Sequence, residues 1–304
     1  MTDNKYHVPV LLKPSVDDLI VDKNGVYVDV TFGGGGHSSY LISQLESRGR
    51  LIGFDQDIDT EANLIDDDRF IFIRQNFGFM KNHLRILPGI IPVDGVLADL
   101  GVSSHQFNTA NRGFSFRFDA ELDMRMNRDV VKTAKDVVMY YEESDLRRIF
   151  RAYGELSNAH KVAYKIIQAR AENEINTIAD LMKVVEVGLY PPHKKNTFLA
   201  KLFQALRIEV NDEMKVLEDL LVQSVDVIKE GGRLSVITYH SLEDRMVKRF
   251  IKSGNIEGVQ EKDFYGNLIR PFKEVNRKPI VPSEEEIKEN NRARSAKLRV
   301  AERI

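Results

Sequence analysis

Short runs of apolar residues recur along the chain and predict the buried strands of a sheet. In the first run, over residues 26–30, valines alternate with Tyr27 and Asp29, a pattern that favours an extended strand. Comparable runs lie at residues 50–55, 70–73, 94–101 and 233–239. Helix-like stretches separate the first four runs, and this alternation predicts an α/β fold with a doubly wound, Rossmann-like parallel sheet.

Between residues 103 and 207 the pattern changes, and no convincing strand is predicted. Apolar residues recur there at helical spacing, often after a serine or threonine that can cap a helix. The predicted helices are 133–140, 144–153 capped by Ser144, 157–173 capped by Ser157, and 177–189 with Thr177 and Asp180 as a capping pair. We therefore predict a discontinuous α/β domain, residues 1–104 and 206–304, with a helical insertion at residues 105–205.

After the insertion the α/β pattern resumes. A helix is predicted at residues 211–229, followed by the strand at 233–239 and a final strand at 297–301. Ser241 and Asp244 have the spacing of a capping box, which predicts a helix directly after the fifth strand.

Composition limits the classes of protein that remain. With 304 residues, of which 42% are hydrophobic and 30% charged, the chain can bury a sizeable core. It contains no cysteine, which excludes disulfides, thiolate metal sites and cysteine nucleophiles. The net charge of −2 gives no global sign of nucleic-acid binding, so any such surface must be local. No apolar run reaches membrane-spanning length and the N-terminus lacks a signal-peptide pattern, so we expect a cytoplasmic protein.

Four consecutive glycines, residues 33–36, follow the first strand and precede a predicted helix at 38–47. Glycines at this point let the backbone turn sharply and let a ligand approach the main chain, near the free N–H groups of the helix. Asp55 ends the second strand about 20 residues later, where an acid accepts hydrogen bonds from ribose hydroxyls in nucleotide-cofactor folds. His37, Phe77 and Asp99 are expected at the same edge, the carboxyl ends of the strands.

Two cofactor classes fit a strand, a glycine turn and a helix. NAD-binding folds carry G-x-G-x-x-G with a third glycine inside the helix, whereas here the glycines are contiguous. S-adenosylmethionine enzymes tolerate a looser pattern because they hold no pyrophosphate, so these features favour S-adenosylmethionine over NAD. His37 has no second histidine or acid at ligand spacing, so no metal site is predicted.

Seven separated motifs, in order over nearly the whole chain, resemble those of the RsmH/MraW family, the bacterial 16S rRNA (cytosine-N4) methyltransferases. They are TFGGGGHS at 31–38, DLGVSS at 99–104, RGFSF at 112–116, LDMRM at 122–126, FQALRIEVN at 203–211, GGRLSVITYHSLEDR at 231–245 and NRARSAKLR at 291–299. Together these motifs are far more specific than a single glycine turn.

The resemblance implies a class I methyltransferase that uses S-adenosyl-L-methionine. Its acceptor would be the exocyclic N4 of a cytidine, at conventional position 1402, in the decoding region of 16S rRNA within the small ribosomal subunit. The resemblance also implies the cofactor-binding residues, which are Gly35, Gly36, His37, Asp55, Phe77, Asp99 and Gln106. A membrane partner is not expected.

Asp99 and His240 are the predicted catalytic residues, and each has an alternative role. The cytosine amine is a poor nucleophile because its lone pair is delocalised, so a nearby acceptor can orient it and take up positive charge. Asp99 could act directly, or it could hold the cofactor while backbone carbonyls near Leu100 orient the amine, and the resemblance favours the second role. His240 could orient the base or transfer a proton, or it could make a structural hydrogen bond beside Ser241.

RNA contacts are predicted for arginines in the insertion and the tail, namely Arg112, Arg125, Arg207, Arg292 and Arg294. Arg294 is the strongest candidate because residues 270–304 hold ten Lys or Arg against six Asp or Glu. The target base must leave its stack to react, so an insertion that holds RNA is expected. The alternatives are a methyltransferase with another acceptor and a non-catalytic RNA-binding or ribosome-assembly module that retains a cofactor pocket.

Overall fold

The computed structural model of the protein describes residues 9–304. Two compact units make up this part of the chain. One is an α/β unit formed by the residues up to Gly101 together with Met214–Ile304, and the other is a helical unit, Val102–Glu213. The helical unit thus begins at residue 102 where the sequence predicts 105, and ends at residue 213 where the sequence predicts 205.

One sheet lies at the centre of the α/β unit. Its strands are Val26–Asp29 (β1), Arg50–Asp55 (β2), Phe70–Arg74 (β3), Val93–Asp99 (β4), Ile228–Thr238 (β5), Phe272–Glu274 (β6) and Lys297–Arg303 (β7). Their order across the sheet is β3-β2-β1-β4-β5-β7-β6. Neighbours from β3 to β5 are parallel, and β7 is antiparallel to both β5 and β6. The predicted α/β class is confirmed, and the final strand predicted at residues 297–301 is β7, although its antiparallel direction and the strand β6 were not predicted.

The α-helices in residues 9–304 are distributed over both units. They are Leu12–Asp17 (α1), Gly36–Gln44 (α2), Met80–Arg85 (α3), Ser104–Asn108 (α4), Ala134–Tyr140 (α5), Glu143–Ala152 (α6), Ala159–Glu172 (α7), Ile178–Glu186 (α8), Lys195–Asn211 (α9), Glu213–Val227 (α10), Ser241–Ser253 (α11) and Glu284–Glu289 (α12). None of these helices is long and apolar enough to span a membrane.

Helices cover both faces of the sheet, which explains why its central strands are largely apolar. Successive side chains of a strand point to opposite faces. In β2, Ile52 accordingly packs into a cluster with α3, α10 and α11. The adjacent Leu51 packs into a second cluster with α1 and α2 on the other face. Both side chains are fully buried, so the sheet is held in place from two sides.

β5 is longer than its apolar run indicates. The pattern predicts a helix as far as residue 229, but α10 ends at Val227 and β5 begins at Ile228. Gly232 therefore lies inside the strand, where the pairing register with β4 shifts. A Cβ atom on Gly232 would lie only 2.8 Å from the carbonyl oxygen of Asp94. A glycine here permits the close approach of the two strands instead of ending a helix.

Two α-helices of the helical unit, the short α4 and the much longer α9, were not predicted from the sequence, and α9 is the more informative case. Residues 193–195 read as a basic loop, and Asn196 and Thr197 after them have low helix propensity. The structure nevertheless continues as a helix to Asn211. Its apolar residues are buried in the core of the unit at helical spacing, as Phe198, Leu202 and Ala205 illustrate. Packing of this face therefore outweighs the weak propensity of the first turn.

The predicted caps in the helical unit are partly wrong. The N-cap residues of α6 and α7 are Glu142 and Asn158, in place of the predicted Ser144 and Ser157. The predicted capping box of α8 is confirmed. The Thr177 hydroxyl accepts the backbone N–H of Asp180, and the Asp180 carboxylate accepts the backbone N–H of Thr177.

Candidate active site

The carboxyl ends of the parallel strands meet at one edge of the α/β unit. β1 leads into the glycine turn, β2 and β4 end in Asp55 and Asp99, and β5 leads into Tyr239 and His240. In doubly wound sheets this edge is where ligands bind. The candidate site in the α/β unit therefore consists of residues that are distant in sequence and adjacent because the strands are parallel.

The glycine turn depends on backbone conformations that other residues rarely adopt. Gly33 and Gly35 have φ angles of 52° and 74°. Gly36, the first residue of α2, has no such angle, but a Cβ atom there would lie 2.3 Å from Cγ of Pro9. Gly34 is exposed, and a Cβ atom on it would meet nothing within 4 Å. The turn is thus tightly constrained on either side of one open position.

Asp55 fixes the glycine turn to the end of β2. Its Oδ2 accepts the backbone N–H of Gly33 at 2.8 Å, and its Oδ1 accepts the backbone N–H of Asp57 at 2.9 Å. Burial raises the pKa of Asp55 from an ordinary value of 3.8 to about 6, and the two N–H donors oppose this shift. The carboxylate is therefore oriented by the backbone, and a pKa of about 6 leaves it mostly charged at neutral pH.

A second buried acid, Asp29, lies beneath the turn, and sequence reasoning did not identify it. The Ser38 hydroxyl donates to its Oδ2 at 2.7 Å, and the backbone N–H of Thr31 donates to its Oδ1 at 3.0 Å. Burial raises the pKa of Asp29, with the neighbouring His37 opposing the rise. The side chain links β1 to the first turn of α2. An acid that interrupts an alternating apolar strand is the signal that could have revealed it.

Asp99 stands at the centre of a polar cluster. Its Oδ1 accepts the Tyr239 hydroxyl at 2.8 Å, and its Oδ2 lies 3.6 Å from Nδ1 of His37. Its backbone N–H donates to the Thr31 hydroxyl at 2.7 Å. Burial raises the pKa of Asp99 to about 6, while His37 and the Tyr239 hydroxyl lower it. Tyr239 is a further residue that sequence reasoning did not single out.

His37 is held from two sides. Its Nε2 lies 3.1 Å from the carbonyl oxygen of Val10. Because a carbonyl oxygen can only accept, Nε2 carries the hydrogen, and the other ring nitrogen faces Asp99. His37 itself is only 6% exposed. The ring therefore connects the segment before α1 with the acid at the end of β4.

Phe77 begins a short 3₁₀ helix, Phe77–Phe79, after β3. Asn76 caps this turn through its side chain, which also donates to Oε1 of Gln56, the residue that follows β2. Phe77 is partly buried and packs against the apolar face of the sheet that contains Ile52. It therefore contributes to the core and also retains exposed surface near the end of β3.

His240 is the N-cap of α11, so the predicted capping box at Ser241 and Asp244 is wrong. The box consists of His240 and Glu243, and Oε2 of Glu243 accepts the backbone N–H of Tyr239 at 2.8 Å. Asp244 instead forms ion pairs with Arg299 and Lys297 of β7. Of the two roles predicted for His240, this geometry favours the structural one.

Gln106 and the arginines of the helical unit have contacts within that unit. Gln106 is buried, and its Oε1 accepts the backbone N–H of Ser103 at 3.0 Å in the capping box of α4. Arg125 pairs with both oxygens of Asp123. Arg207 likewise pairs with both oxygens of Glu213 through Nε and Nη2, at 2.8 and 2.9 Å.

Arg112 is a correction to the sequence-based prediction. Its side chain is only 1% exposed, and Nη2 donates to the carbonyl oxygens of Arg125 and Met126, both at 3.1 Å. A guanidinium in this position holds a loop together and presents no surface to a phosphate. Arginine is suited to this structural role because it has five N–H donors in a planar fork.

The predicted tail arginines lie just before β7. Arg292 and Arg294 belong to a 3₁₀ helix, Asn291–Ser295, whose Ala293 is fully buried against the end of β5. Arg294 is exposed, whereas Arg292 is partly buried. The apolar anchor between them therefore holds Arg294 on the surface of the α/β unit.

The strand order, with an antiparallel β7 between β5 and β6, and the glycine turn with two acids at the carboxyl edge define a Rossmann-like class I methyltransferase. A family model described as the MraW methylase family matches residues 4–304, and the chain belongs to this family. The protein named ribosomal RNA small subunit methyltransferase H of Flavobacterium johnsoniae is 56% identical over 303 residues, covering 100% of this chain and 99% of that protein. The protein of the same name from Bacteroides fragilis is 54% identical over 301 residues, covering 99% and 98%.

Solved structures resemble the chain more distantly. A putative rRNA methylase from Clostridium thermocellum superposes with a TM-score of 0.45 at 14% identity, covering 98% of this chain and 100% of that chain. An rRNA methylase from Streptococcus thermophilus gives a TM-score of 0.43 at 12% identity, covering 98% and 99%. These likenesses add nothing to what the strand order already defines.

Proposed function

We propose that the protein transfers a methyl group from S-adenosyl-L-methionine to the exocyclic N4 of a cytidine in the decoding region of 16S rRNA, at conventional position 1402. The observation that carries this proposal is the match, over essentially the full length of both chains, to relatives named for methylation of small-subunit ribosomal RNA. The substrate would be this rRNA within the small ribosomal subunit.

The residues at the carboxyl edge fit this cofactor. Each oxygen of Asp55 accepts one backbone N–H, and because a carboxylate offers about four acceptor positions, it can also accept the ribose hydroxyls. Gly35, Gly36 and His37, at the start of α2, would face the carboxylate of the cofactor, since a helix N-terminus favours an anion. Phe77 would place its partly exposed ring against the adenine. Gln106 and Asp99 complete the proposed contacts.

When bound, the cofactor supplies a methyl carbon attached to a positively charged sulfur. The cytidine N4 would accept this methyl group and would then have to lose a proton. Asp99 would lie near the amine, either to accept its hydrogen bond and positive charge or to hold the cofactor. The main contribution of the protein would be to place the amine in line with the methyl group. His240 would support this edge by capping α11.

RNA recognition is proposed for the helical unit and for the exposed Arg294. The helical unit is formed by residues 102–213, outside the strands that carry the proposed cofactor contacts. A base must leave its stack to reach any enzyme pocket, so a part of the protein that holds the RNA is needed. Arg294 offers an exposed guanidinium in a basic segment, which suits a phosphate. Arg125, Arg207 and Arg292 remain secondary candidates for the same role.

Mass spectrometry of rRNA nucleosides tests the proposal. Small subunits that lack the modification would be incubated with the protein and labelled S-adenosylmethionine. We expect labelled N4-methylcytidine at one position, and far less of it after the Asp99→Asn substitution. Label in another nucleoside or in protein would identify a different acceptor. Cofactor binding without any transfer would support the non-catalytic alternative.

A further inference from the structure

Tyr239 occupies a defined place beside Asp99. It follows β5 directly, and the backbone N–H of Leu100, just after β4, donates to the carbonyl oxygen of Ile237 at 3.0 Å. The two strand ends are therefore hydrogen-bonded to each other two residues before Tyr239. From this position its hydroxyl donates to Oδ1 of Asp99 at 2.8 Å.

The backbone of Tyr239 is itself fixed. Its N–H donates at 2.8 Å to Oε2 of Glu243, which is 3% exposed and belongs to the capping box of α11. Its ring packs against a cluster that includes Ile237 and Leu298. The end of β5, the cap of α11 and an apolar cluster thus hold the Tyr239 hydroxyl next to Asp99.

The two carboxylate oxygens of Asp99 contact different residues. Oδ1 receives the Tyr239 hydroxyl, Oδ2 faces His37, and the backbone is held by the Thr31 hydroxyl. A carboxylate with one oxygen held in this way cannot rotate freely, so the direction of its remaining lone pairs is set. Residues that hold an acid in a productive geometry act by preorganisation.

We propose that Tyr239 is a positioning residue for methyl transfer, whose hydroxyl orients the Asp99 carboxylate and favours its charged form. This role rests on the proposed function. Burial, reinforced by the charge of Asp99, raises the pKa of Tyr239 well above its ordinary value of 10.0. The phenol therefore remains a neutral donor over any useful assay range. It stabilises a charged acceptor without adding a charge of its own.

The pH dependence of Asp99 depends on every ionisable group that faces it. Those groups come from β1, α2, the end of β5 and α11, and they are Asp29, His37, Tyr239 and Glu243. Asp29 and Glu243 raise the pKa of Asp99, whereas His37 and Tyr239 lower it. Removing the phenol hydroxyl should therefore raise the pKa of Asp99, since one of its two stabilising partners is lost.

The test compares Tyr239→Phe with the wild type by two independent measurements. The first is the titration of the Asp99 carboxyl carbon by NMR in ¹³C-aspartate-labelled protein, assigned with Asp99→Asn. We expect its midpoint to move up by about one pH unit. The second is steady-state methyl transfer over the same pH range. We expect the acidic limb to shift in the same direction and kcat to fall about tenfold, with KM for the RNA unchanged.

Tyr40→Phe is the matched control, because it also removes a phenol hydroxyl that donates to an aspartate, here Asp17 at 3.0 Å on the exposed surface. This variant should behave as the wild type in both measurements. A second replacement, 3-fluorotyrosine at position 239, keeps the donor and makes it stronger, so it should move the Asp99 midpoint down.

Each outcome has one meaning. If the Asp99 midpoint and the activity profile of Tyr239→Phe coincide with those of the wild type, the positioning role is overturned. If the wild type itself transfers no methyl group to rRNA, the proposed function fails and a role of Tyr239 in methyl transfer fails with it, and the NMR titration then tests only whether Tyr239 stabilises the charged form of Asp99. Should Tyr239→Phe unfold, the 3-fluorotyrosine protein decides it, because an unmoved midpoint there contradicts the proposal.

Discussion

Replacing Asp55 with asparagine separates the structural role of this acid from its role in binding. Each carboxylate oxygen accepts a different backbone N–H, from Gly33 and from Asp57. An asparagine side chain has one oxygen and one NH₂ group, so one of the two N–H donors must face another donor. An unpaired buried donor destabilises a fold by about 1–3 kcal/mol.

Loss of the buried charge acts in the opposite direction. The pKa of Asp55 is about 6 in the folded protein and 3.8 ordinarily, so at pH 7 its ionisation lowers the free energy of unfolding by about 3 kcal/mol. This penalty is present above pH 6, decreases as the pH falls through 6, and is absent below 3.8, because the folded state holds the proton more tightly. Asp55→Asn removes the penalty. The two effects are of similar size, so stability at pH 7 should change little.

Cofactor affinity should change far more than stability. Hydrogen bonds from ribose hydroxyls to a carboxylate contribute about 1.5–3 kcal/mol, so their loss should weaken binding about 10- to 150-fold. In the wild type, binding of S-adenosylmethionine should also weaken below pH 6, as Asp55 and Asp99 become protonated, and Asp55→Asn should remove only the part that is due to Asp55.

Isothermal titration calorimetry between pH 5 and 8, with a urea unfolding curve for each protein, measures all three quantities. The control is Asp68→Asn, which removes an exposed carboxylate from the loop before β3. Equal affinity and equal pH dependence in Asp55→Asn and the wild type would refute the assignment of Asp55 to the ribose. A large loss of stability would show that the unpaired donor outweighs the relieved charge.

Three further predictions concern other parts of the molecule. Asp99→Asn should lower single-turnover methyl transfer at least about a hundredfold without lowering the melting temperature, since burial opposes its charge, and transfer at the wild-type rate would exclude Asp99 from the chemistry. Arg112→Met should reduce the free energy of unfolding by about 2–4 kcal/mol, because it removes the hydrogen-bond donor to two backbone carbonyl oxygens. Replacement of the exposed Arg147 by methionine is the control and should change the free energy of unfolding by less than about 0.5 kcal/mol. Similar urea unfolding curves for the two variants would contradict a structural role for the buried Arg112. Arg294→Ala should weaken RNA binding and reduce its salt slope by about one at unchanged cofactor affinity, and filter binding that shows an unaltered slope would remove Arg294 from the interface.

Sequence reasoning succeeded where a residue type has few roles in a given context. Contiguous glycines after a strand indicate a turn with unusual backbone angles, and Gly33 and Gly35 adopt them. An acid that ends an apolar run marks the end of a strand, as Asp55 and Asp99 do. Parallel pairing then brings such positions to one edge, so the location of Asp55 and Asp99 at this edge follows from the pattern.

It failed where the role of a side chain depends on contacts that are distant in sequence. Arg112 reads like any surface arginine, and only folding shows that its guanidinium is buried against carbonyl groups. His240 is the N-cap of α11 because its backbone is still extended, whereas Ser241 is already the first residue of the helix. The hydroxyl of Tyr239 finds Asp99 across 140 residues of sequence, and spacing carries no signal for such a pair.

The position of β7 has a consequence for the synthesis of the protein. β7 is the last of the strands in chain order, yet it lies inside the sheet, between β5 and β6. β6 pairs with β7 and with no other strand of the described chain. During translation, β6 is synthesised before its partner strand, and β5 presents an open edge until residues 297–303 have left the ribosome. The sheet is therefore completed from its interior, in a single late event, and a chain that stalls shortly before this point exposes the edge of its longest strand to other molecules.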